Sequence, residues 1–372
     1  MTANQRFLAL DVFRGLTICL MIIVNTPGDG SLTFAPLHHA HWHGFTPTDL
    51  VFPSFLFAVG NAMSFVMRKW EQKSTAEVLG KIFKRTALIF LLGFLMYWFP
   101  FVNNDEGHWA LSPLSHTRIL GVLQRIALCY CFASLLTYFL KKKMVIVISI
   151  GLLLLYWGLC FWYGDPNDPL SLLGNAGLKF DIWLMGENHL YHGEGVAFDP
   201  EGWLSTMPAI VNVVAGYLVG MHVQKNGKSY EGITKLILAG FALIIIAYFW
   251  NFIFPINKKL WTSSFVLQTV GLDCMILGAV IYLIDMKHKT KWAGFFEVVG
   301  KNPLSVYLFS ELLVIVLYMV NIGDTSLFTW IYQNIFNHVG DYWSSLLFAV
   351  CYMLLCWSVG YWMDKKKIYL RV

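Results

Sequence analysis

Long apolar runs separated by shorter polar segments repeat along the whole chain. Each run is about 20 residues long, the length that a helix needs to cross a bilayer core of about 30 Å. The runs are continuously apolar rather than alternating, which excludes the strands of a membrane β-barrel. The pattern predicts ten membrane-spanning helices, at 8–25, 47–67, 82–99, 118–140, 144–163, 204–223, 232–253, 262–285, 302–322 and 343–363.

Composition supports lipid as the solvent of this chain. Of its 372 residues 57% are hydrophobic and 13% are charged, and the mean hydropathy is +0.58. Soluble domains carry about 25% charged residues. We therefore predict one all-α, polytopic membrane bundle over residues 1–372. Its extracytoplasmic loops are expected at 26–46, 100–117 and 164–203.

Lysine and arginine are unequally divided between the two sides of the predicted membrane. The N-terminal side holds most of them, including Lys141–Lys143 and Lys365–Lys367, whereas the opposite loops hold only Lys179, Lys258 and Lys259. By the positive-inside rule both termini are cytoplasmic. The net charge of +5 therefore reflects topology, and no nucleic-acid partner is expected. The absence of an Asn-x-Ser/Thr sequence favours a bacterial inner (plasma) membrane.

Four histidines crowd the loop between the first two spans. They are His38, His39, His41 and His43, and Asp49 follows where the second span begins. Imidazoles titrate near neutral pH, so histidines at the start of an apolar span are candidates for proton transfer. Asp49 either caps the second helix or orients one of these rings. A histidine-rich loop without a function, or one that binds metal adventitiously, is the alternative.

Several basic residues fall inside predicted spans, where charge is costly. Arg14 lies three residues from Asp11, and these two either neutralise each other or leave Arg14 to an anionic ligand. Arg118 and Arg125 are seven apart on one expected helical stripe, with Gln124 beside Arg125. A buried arginine requires an acid or a ligand anion, and phosphate fits its planar fork. Arg118 alternatively extends toward the lipid boundary, and the intramembrane acids available as partners are Asp273 and Glu311.

The 164–203 loop mixes acids with aromatic residues, a composition that suits an amine-bearing sugar acceptor as well as a solvated cap. A metal site around His189 and His192 is a weaker alternative, because a four-ligand spacing is missing. All seven cysteines lie in apolar spans and are expected to be buried thiols. The sequence G-K-N-P-L-S-V-Y, with Lys301 and Asn302, predicts a broken helix of the kind that lines binding sites.

Several sequence blocks resemble one family. L-D-V-F-R-G, H-H-A-H-W-H-G-F-T-P-T-D-L-V-F-P, R-I-L-G-V-L-Q-R, G-E-N-H-L-Y, F-D-P-E-G and P-I-N-K-K-L-W-T-S-S-F are similar, in this order, to blocks of the heparan-α-glucosaminide N-acetyltransferases. So is the broken-helix sequence at Lys301. The family moves an acetyl group from cytoplasmic acetyl-CoA to a glucosamine amine across the membrane. Compared with the lysosomal members, this chain is expected to lack an N-terminal luminal extension and an extra helix, and His41 and His43 stand where those members have Ser and Asn around the tryptophan.

The resemblance implies the identity of His39 and Asn25 as site residues, and the reaction, together with depth and charge, gives the expected roles of the others. His39 matches the active-site histidine, as a base or as a covalent acetyl carrier, and Asn25 its polar neighbour, which would hold the carbonyl oxygen. Asp49 would fix the imidazole. The residues expected to bind acetyl-CoA, a cosubstrate, are Arg14, Arg118, Gln124, Arg125, Lys301 and Asn302. Those expected to bind an amino sugar or related glycan are His41, His43, Glu187, His189 and Asn257.

The same likeness predicts a homodimer. No metal is expected, because a four-ligand spacing is missing. A transporter of amino sugars or small anions is the alternative function, because buried arginines and a broken helix would serve it equally well. A signalling or assembly scaffold is a third possibility.

Overall fold

A computed structural model describes residues 7–105, 108–227 and 229–370. Within them the chain forms thirteen α-helices and two short hairpins. The helices are α1 Leu8–Asn25, α2 Pro47–Trp70, α3 Thr75–Trp98, α4 Val122–Phe139, α5 Lys142–Tyr163, α6 Ala176–Met185, α7 Trp203–Asn226, α8 Tyr230–Asn251, α9 Ser263–Ile281, α10 Ala293–Lys301, α11 Pro303–Met319, α12 Leu327–Ile331 and α13 Asp341–Lys365. The antiparallel pairs are β1 Val102–Asp105 with β2 His108–Leu111, and β3 Asn321–Ile322 with β4 Thr325–Ser326.

The all-α, polytopic membrane bundle predicted from the hydrophobic runs is confirmed. Eight of the described helices are long and apolar enough to cross a membrane: α1, α2, α4, α5, α7, α8, α9 with the π-helical segment Tyr282–Met286 that extends it, and α13. The pair α10 and α11 forms a ninth span if its two parts are counted together. The predicted span at 82–99 lies in α3, whose first half carries Glu77, Lys81, Lys84 and Arg85. With these charges α3 is not apolar enough to count among the membrane-spanning helices, so the tenth span stays a prediction.

The predicted helix break at Asn302 is confirmed. Helix α10 ends at Lys301, α11 begins at Pro303, and the two axes differ by 82°. Proline at the first position of α11 removes no hydrogen bond of that helix, and its fixed φ favours a new start. Helix α10 packs tightly on α1, because a Cβ on Gly300 would lie 1.9 Å from the Asp11 carbonyl oxygen.

Consecutive spans run in opposite directions, so the loops between them gather at two ends. Backbone hydrogen bonds tie Gly44 to Ile256 and Ile119 to His189, and the Trp42 indole donates to the Leu170 carbonyl. These contacts bring together the segments 26–46, 112–121, 164–202 and 252–262, which we call the histidine end. The opposite end holds the lysine-rich segments at 141–143 and 365–367, and we call it the basic end.

The 164–203 segment, predicted as a loop, is folded. It contains α6 and a 3₁₀ turn at Glu187–His189, and its apolar residues form a second small core. Leu170, Leu178, Leu190 and Phe198 are buried there against Phe254. Isolated apolar residues in a polar segment gave too weak a periodicity for α6 to be predicted. The segment is therefore a packed cover over the histidine end.

Candidate active site

Asp49 is placed by the start of helix α2. Thr46 is the N-cap, Pro47 is the first helical residue, and Asp49 in the first turn accepts the Thr46 N–H at Oδ2, 3.0 Å away. The same oxygen accepts the Ala40 N–H at 3.1 Å. Asp49 is fully buried. Asp49 therefore fills both roles considered for it: one oxygen caps helix α2, and the second oxygen faces the loop and can orient a histidine.

His39 is the loop histidine that Asp49 holds. His39 Nδ1 lies 2.7 Å from Asp49 Oδ1. Every other polar partner of Asp49 is a donor, so the carboxylate is ionised and Nδ1 must carry the proton. That leaves the lone pair on Nε2, and the side chain is 42% exposed. Burial lowers the pKa of His39, and Lys258 and Lys259 lower it further against the opposing effect of Asp49.

Lys258, one of the three lysines on the side of the membrane where positive residues are scarce, lies against this ring. Its Nζ is 3.1 Å from both His39 Nδ1 and His39 Nε2. The turn that carries Lys258 is built by Asn257, whose Oδ1 accepts the Leu260 N–H at 2.8 Å and whose N–H donates to Thr262 Oγ1 at 3.1 Å. Position 258 is 219 residues from 39 in sequence, so no local spacing could have paired them.

Asn257 and His43 join the histidine loop to the same turn. Asn257 is fully buried and lies 3.3 Å from His43 Nδ1 through its side-chain nitrogen. Burial lowers the pKa of His43, against the effect of Asp168. The His41 carbonyl accepts from Lys259 Nζ at 3.2 Å, and Lys259 pairs with Glu194 at 2.6 Å. These residues, three of them predicted to bind the acceptor, thus form the contacts that fix the loop beside His39.

Arg118 is engaged by acids of the 164–203 segment. Its Nε and Nη2 donate to both oxygens of Asp199 at 2.8 and 2.7 Å, and Nη2 also reaches Glu201 at 2.7 Å. Burial disfavours ionisation of Glu201, but Arg118, Arg125 and Lys258 outweigh it and lower the Glu201 pKa. Arg118 therefore has carboxylate partners at the histidine end, and its proposed contact with acetyl-CoA is a prediction that competes with them.

The remaining acceptor candidates lie at the rim. His189 Nδ1 is 2.8 Å from the Thr117 carbonyl, which ties the 3₁₀ turn to the segment before α4. Glu187 is exposed at the start of that turn.

Asn25, the last residue of α1, is exposed and lies within hydrogen-bonding reach of Glu311 in α11. Within the part of the chain that the structure describes, Glu311 thus neighbours Asn25 and pairs with no arginine, and Asp273 Oδ1 accepts the Ser54 hydroxyl at 2.5 Å.

Arg125 and Gln124 are buried in the first turn of α4 with unused hydrogen-bonding capacity. Arg125 Nη2 donates to the Gly202 carbonyl at 3.0 Å and to Ser205 Oγ, and the guanidinium lies over the Trp261 ring, 4.8 Å from its centre. In the part of the chain that the structure describes, Arg125 Nε and Nη1 and both amide atoms of Gln124 have no partner. Buried polar atoms of this kind are costly without a partner, so they suit a ligand oxygen.

The other three acetyl-CoA candidates lie at the basic end. Arg14 pairs with Asp11 at 2.8 Å and retains 22% exposure. Lys301 contacts Glu297 at 3.0 Å and Asp364 at 3.2 Å, and Asn302 donates to the Ile368 carbonyl at 3.0 Å. Arg14 and Asn25 are 11 residues apart on α1, roughly 16 Å along the axis. The predicted group is therefore divided between the two ends of the bundle.

Comparison with known proteins decides the family. The family model for "Heparan-alpha-glucosaminide N-acetyltransferase, catalytic" matches residues 6–179. A mouse heparan-alpha-glucosaminide N-acetyltransferase is 30% identical over 373 residues, covering 84% of this chain and 54% of the relative. The human protein of the same name is also 30% identical, over 82% of this chain and 53% of its own length. The chain belongs to this family.

The family match extends over part of the site. This heparan-alpha-glucosaminide N-acetyltransferase family member spans about half the length of the curated relatives. The region that the family model matches contains Asn25, His39, Asp49, Arg118 and Arg125. Lys258 and Lys301 lie beyond it. Among the described residues no group of three or more His, Cys, Asp or Glu side chains is arranged to hold a metal ion.

Asp181 is a buried acid whose ionisation should affect stability. Its Oδ1 accepts the Trp203 N–H at the start of α7, 2.9 Å away. Burial raises its pKa from 3.8 to about 7. Because the folded pKa is the higher one, the stability that it contributes falls as pH rises between these two values, by at most roughly 4 kcal/mol. Asp181→Asn keeps an oxygen acceptor, so its melting temperature in detergent should fall less between pH 5 and pH 8 than that of the wild type.

An exposed acid of the same segment provides the control. Asp168→Asn changes charge equally but involves an exposed side chain. We expect Asp168→Asn to follow the wild-type melting temperature at both pH values. If the melting temperatures of the wild type and Asp181→Asn change equally between pH 5 and pH 8, ionisation of Asp181 does not destabilise the folded protein.

Proposed function

We propose that this protein transfers an acetyl group from acetyl-CoA to the amine of a glucosamine-type sugar at the histidine end. The observation that carries the proposal is the 2.7 Å contact between His39 Nδ1 and Asp49 Oδ1. It assigns the proton to Nδ1 and leaves Nε2 with a lone pair on a partly exposed ring. Membership of an acetyltransferase family supports the same chemistry.

The reaction requires a neutral base beside the acetyl group. In direct transfer the acceptor amine forms the new C–N bond, Nε2 takes the amine proton, and the thioester C–S bond breaks. The thiolate that leaves then takes up that proton. In the alternative, Nε2 itself attacks the acetyl carbon, the thioester C–S bond breaks and the CoA thiolate leaves. The amine then attacks the acetyl carbon, the bond to Nε2 breaks, and the amine proton passes through Nε2 to the thiolate. In both, Asp49 stabilises the imidazolium through Nδ1–H, as a buried carboxylate does for a catalytic histidine.

We assign the donor to the interior of the bundle. Arg14, Lys301 and Asn302 would meet the phosphates at the basic end, where acetyl-CoA would enter from the cytoplasm. Arg125 and Gln124 would meet donor oxygens nearer His39, because their polar atoms lack protein partners. Asn25 would hold the acetyl carbonyl oxygen. Arg118 contributes only if a ligand competes with Asp199 and Glu201.

The acceptor would bind under the 164–203 segment, the side to which His41, His43, Glu187, His189 and Asn257 belong. Carboxylates there suit an amine-bearing sugar. The lysine distribution supports cytoplasmic termini, and we place the chain as one domain in a bacterial inner membrane. A homodimer remains a prediction from the family resemblance.

The test is acetyl transfer across a membrane. Purified protein is inserted into vesicles, and the exposed end is determined by protease cleavage at the C-terminus. Labelled acetyl-CoA is supplied on the side of the C-terminus and glucosamine on the other. We expect labelled N-acetylglucosamine on the glucosamine side, and none when the two substrates exchange sides or when protein is omitted.

Transport gives a different result in the same vesicles. If glucosamine exchanges across the membrane and acetyl-CoA is not consumed, the acetyltransferase proposal is wrong and the transporter alternative is supported. If product forms on the acetyl-CoA side alone, the protein is an acetyltransferase but does not transfer the acetyl group across the bilayer.

A further inference from the structure

Lys258 lies beside His39 in an unusual relation for a lysine. The ion-pair partner of an exposed lysine at a protein surface is the carboxylate of Asp or Glu. Lys258 Nζ instead lies 3.1 Å from each ring nitrogen of His39, and among the described residues it forms no ion pair with a carboxylate. The neighbouring Lys259 does so, with Glu194 at 2.6 Å. The imidazole is therefore the nearest polar partner of the Lys258 ammonium.

The equal distances fix where the ammonium lies. The two ring nitrogens flank Cε1, so a point 3.1 Å from both cannot lie in the ring plane without colliding with a ring carbon. The ammonium therefore lies off the plane, and the in-plane lone pair of Nε2 stays open. Its effect on the ring is that of a nearby positive charge, which disfavours a second positive charge on the imidazole.

We propose that Lys258 is a positioning residue for His39: its ammonium keeps the ring uncharged at working pH and leaves Nε2 free to act. The proposal deepens the function proposed above and rests on it for its kinetic arm. It also explains why a lysine occupies a side of the membrane where positive residues are otherwise scarce. The occupied position, off the ring, keeps the charge close without blocking the attacking atom.

The charges around both groups set the expected sign. His39 faces Asp49, which favours its protonated form, and Lys258 and Lys259, which oppose it; burial also opposes it. Burial lowers the pKa of Lys258, and Lys259 lowers it further, against Asp49, Glu201 and Glu194, which favour the charged ammonium. Removing the Lys258 charge should therefore raise the pH at which His39 becomes protonated.

The kinetic test is the pH dependence of kcat/KM for acetyl transfer. The wild type should lose activity only below the ordinary histidine value of 6.5, because the His39 pKa is lowered. In Lys258→Met the pH below which kcat/KM falls should rise by roughly one unit. Lys258→Arg keeps the charge and should restore the wild-type pH dependence. Lys179→Met removes an exposed lysine of the same membrane side and should leave the pH dependence unchanged.

A second measurement does not depend on acetyl transfer. Of the two protonation states of a histidine ring, diethyl pyrocarbonate modifies the neutral one, and peptide mass spectrometry resolves the modification of His39 from that of other side chains. Its midpoint pH, measured without acetyl-CoA, should move up by roughly one unit in Lys258→Met and not in Lys258→Arg or Lys179→Met.

The two measurements separate the two proposals. If the pH midpoint of His39 modification shifts in Lys258→Met but the wild type lacks acetyltransferase activity, the role of Lys258 is supported and the proposed function is wrong. Identical midpoints in the wild type and Lys258→Met, with activity present, overturn the role of Lys258 alone. A Lys258→Met protein that fails to fold leaves Lys258→Gln and Lys258→Arg as the deciding pair, since glutamine keeps polarity and loses only the charge.

Discussion

Replacing His39 with alanine is expected to lower kcat for acetyl transfer by roughly 10²–10⁴-fold, the usual contribution of a positioned general base. The KM for acetyl-CoA should change little, because the contacts proposed for the donor lie on α1, α4 and α10 rather than in the histidine loop. The measurement is labelled product formation in the vesicle assay over a range of acetyl-CoA concentrations. An undiminished kcat would remove His39 from the chemistry.

His38→Ala is the matched control for this variant. His38 precedes His39 in the same loop, and its hydrogen bonds come from the backbone: its carbonyl accepts the Thr46 hydroxyl at 2.7 Å and its N–H donates to the Ala35 carbonyl at 3.3 Å. Both survive the substitution. We expect His38→Ala to retain wild-type kcat. Both variants should melt within a few degrees of the wild type, which separates a catalytic loss from an unfolded loop.

The same pair distinguishes the two mechanisms left open for His39. Rapid mixing of wild-type protein with labelled acetyl-CoA, without acceptor, should label the His39 peptide if the ring carries the acetyl group. His38→Ala should then be labelled and His39→Ala not. Absence of label in an active enzyme assigns direct transfer with His39 as the base.

The sequence was most informative where the chemistry is local. His39 and Asp49 are ten residues apart, and Asp49 lies in the first turn of α2, which begins at Pro47. Their pairing therefore follows from a loop that folds back on this turn. The helix break at Asn302 is local in the same sense. Lys258 approaches His39 only through the packing of α8 and α9, and no pattern in one sequence encodes that contact.

The pairing of Arg118 with Arg125 shows how a correct spacing can be misapplied. Seven residues place two side chains on one stripe only if the helix is continuous between them. Helix α4 begins at Val122 after the N-cap Gly121, so Arg118 lies outside it. Arg118 is thereby free to turn toward Asp199, and Arg125 alone remains in the buried first turn. A helix start at 118 was the assumption that failed.

Gly60→Ala is expected to destabilise the protein strongly, on the order of 3 kcal/mol, because it blocks the contact between α2 and α7. A Cβ on Gly60 would lie 1.9 Å from the Val213 carbonyl oxygen and 2.7 Å from the Tyr217 nitrogen. Both are backbone atoms of α7 and cannot rotate away. From the other side, a Cβ on Gly216 would lie 2.0 Å from the Phe57 carbonyl oxygen. We expect a lower melting temperature in detergent and less monodisperse protein on size exclusion.

Gly151→Ala is the matched control, since Gly151 lies inside α5 and a Cβ there meets nothing within 4 Å. Alanine favours a helix by about 1 kcal/mol over glycine, so this variant should be as stable as the wild type or slightly more. If both variants melt alike, the close approach of α2 and α7 is not needed for folding. The contact also concerns the site, because Asp49 lies in the first turn of α2. If Gly60→Ala protein still folds, it should therefore lose acetyl transfer, because Asp49 is displaced from His39. The pH midpoint of His39 modification should change as well, since the ring then has a different environment.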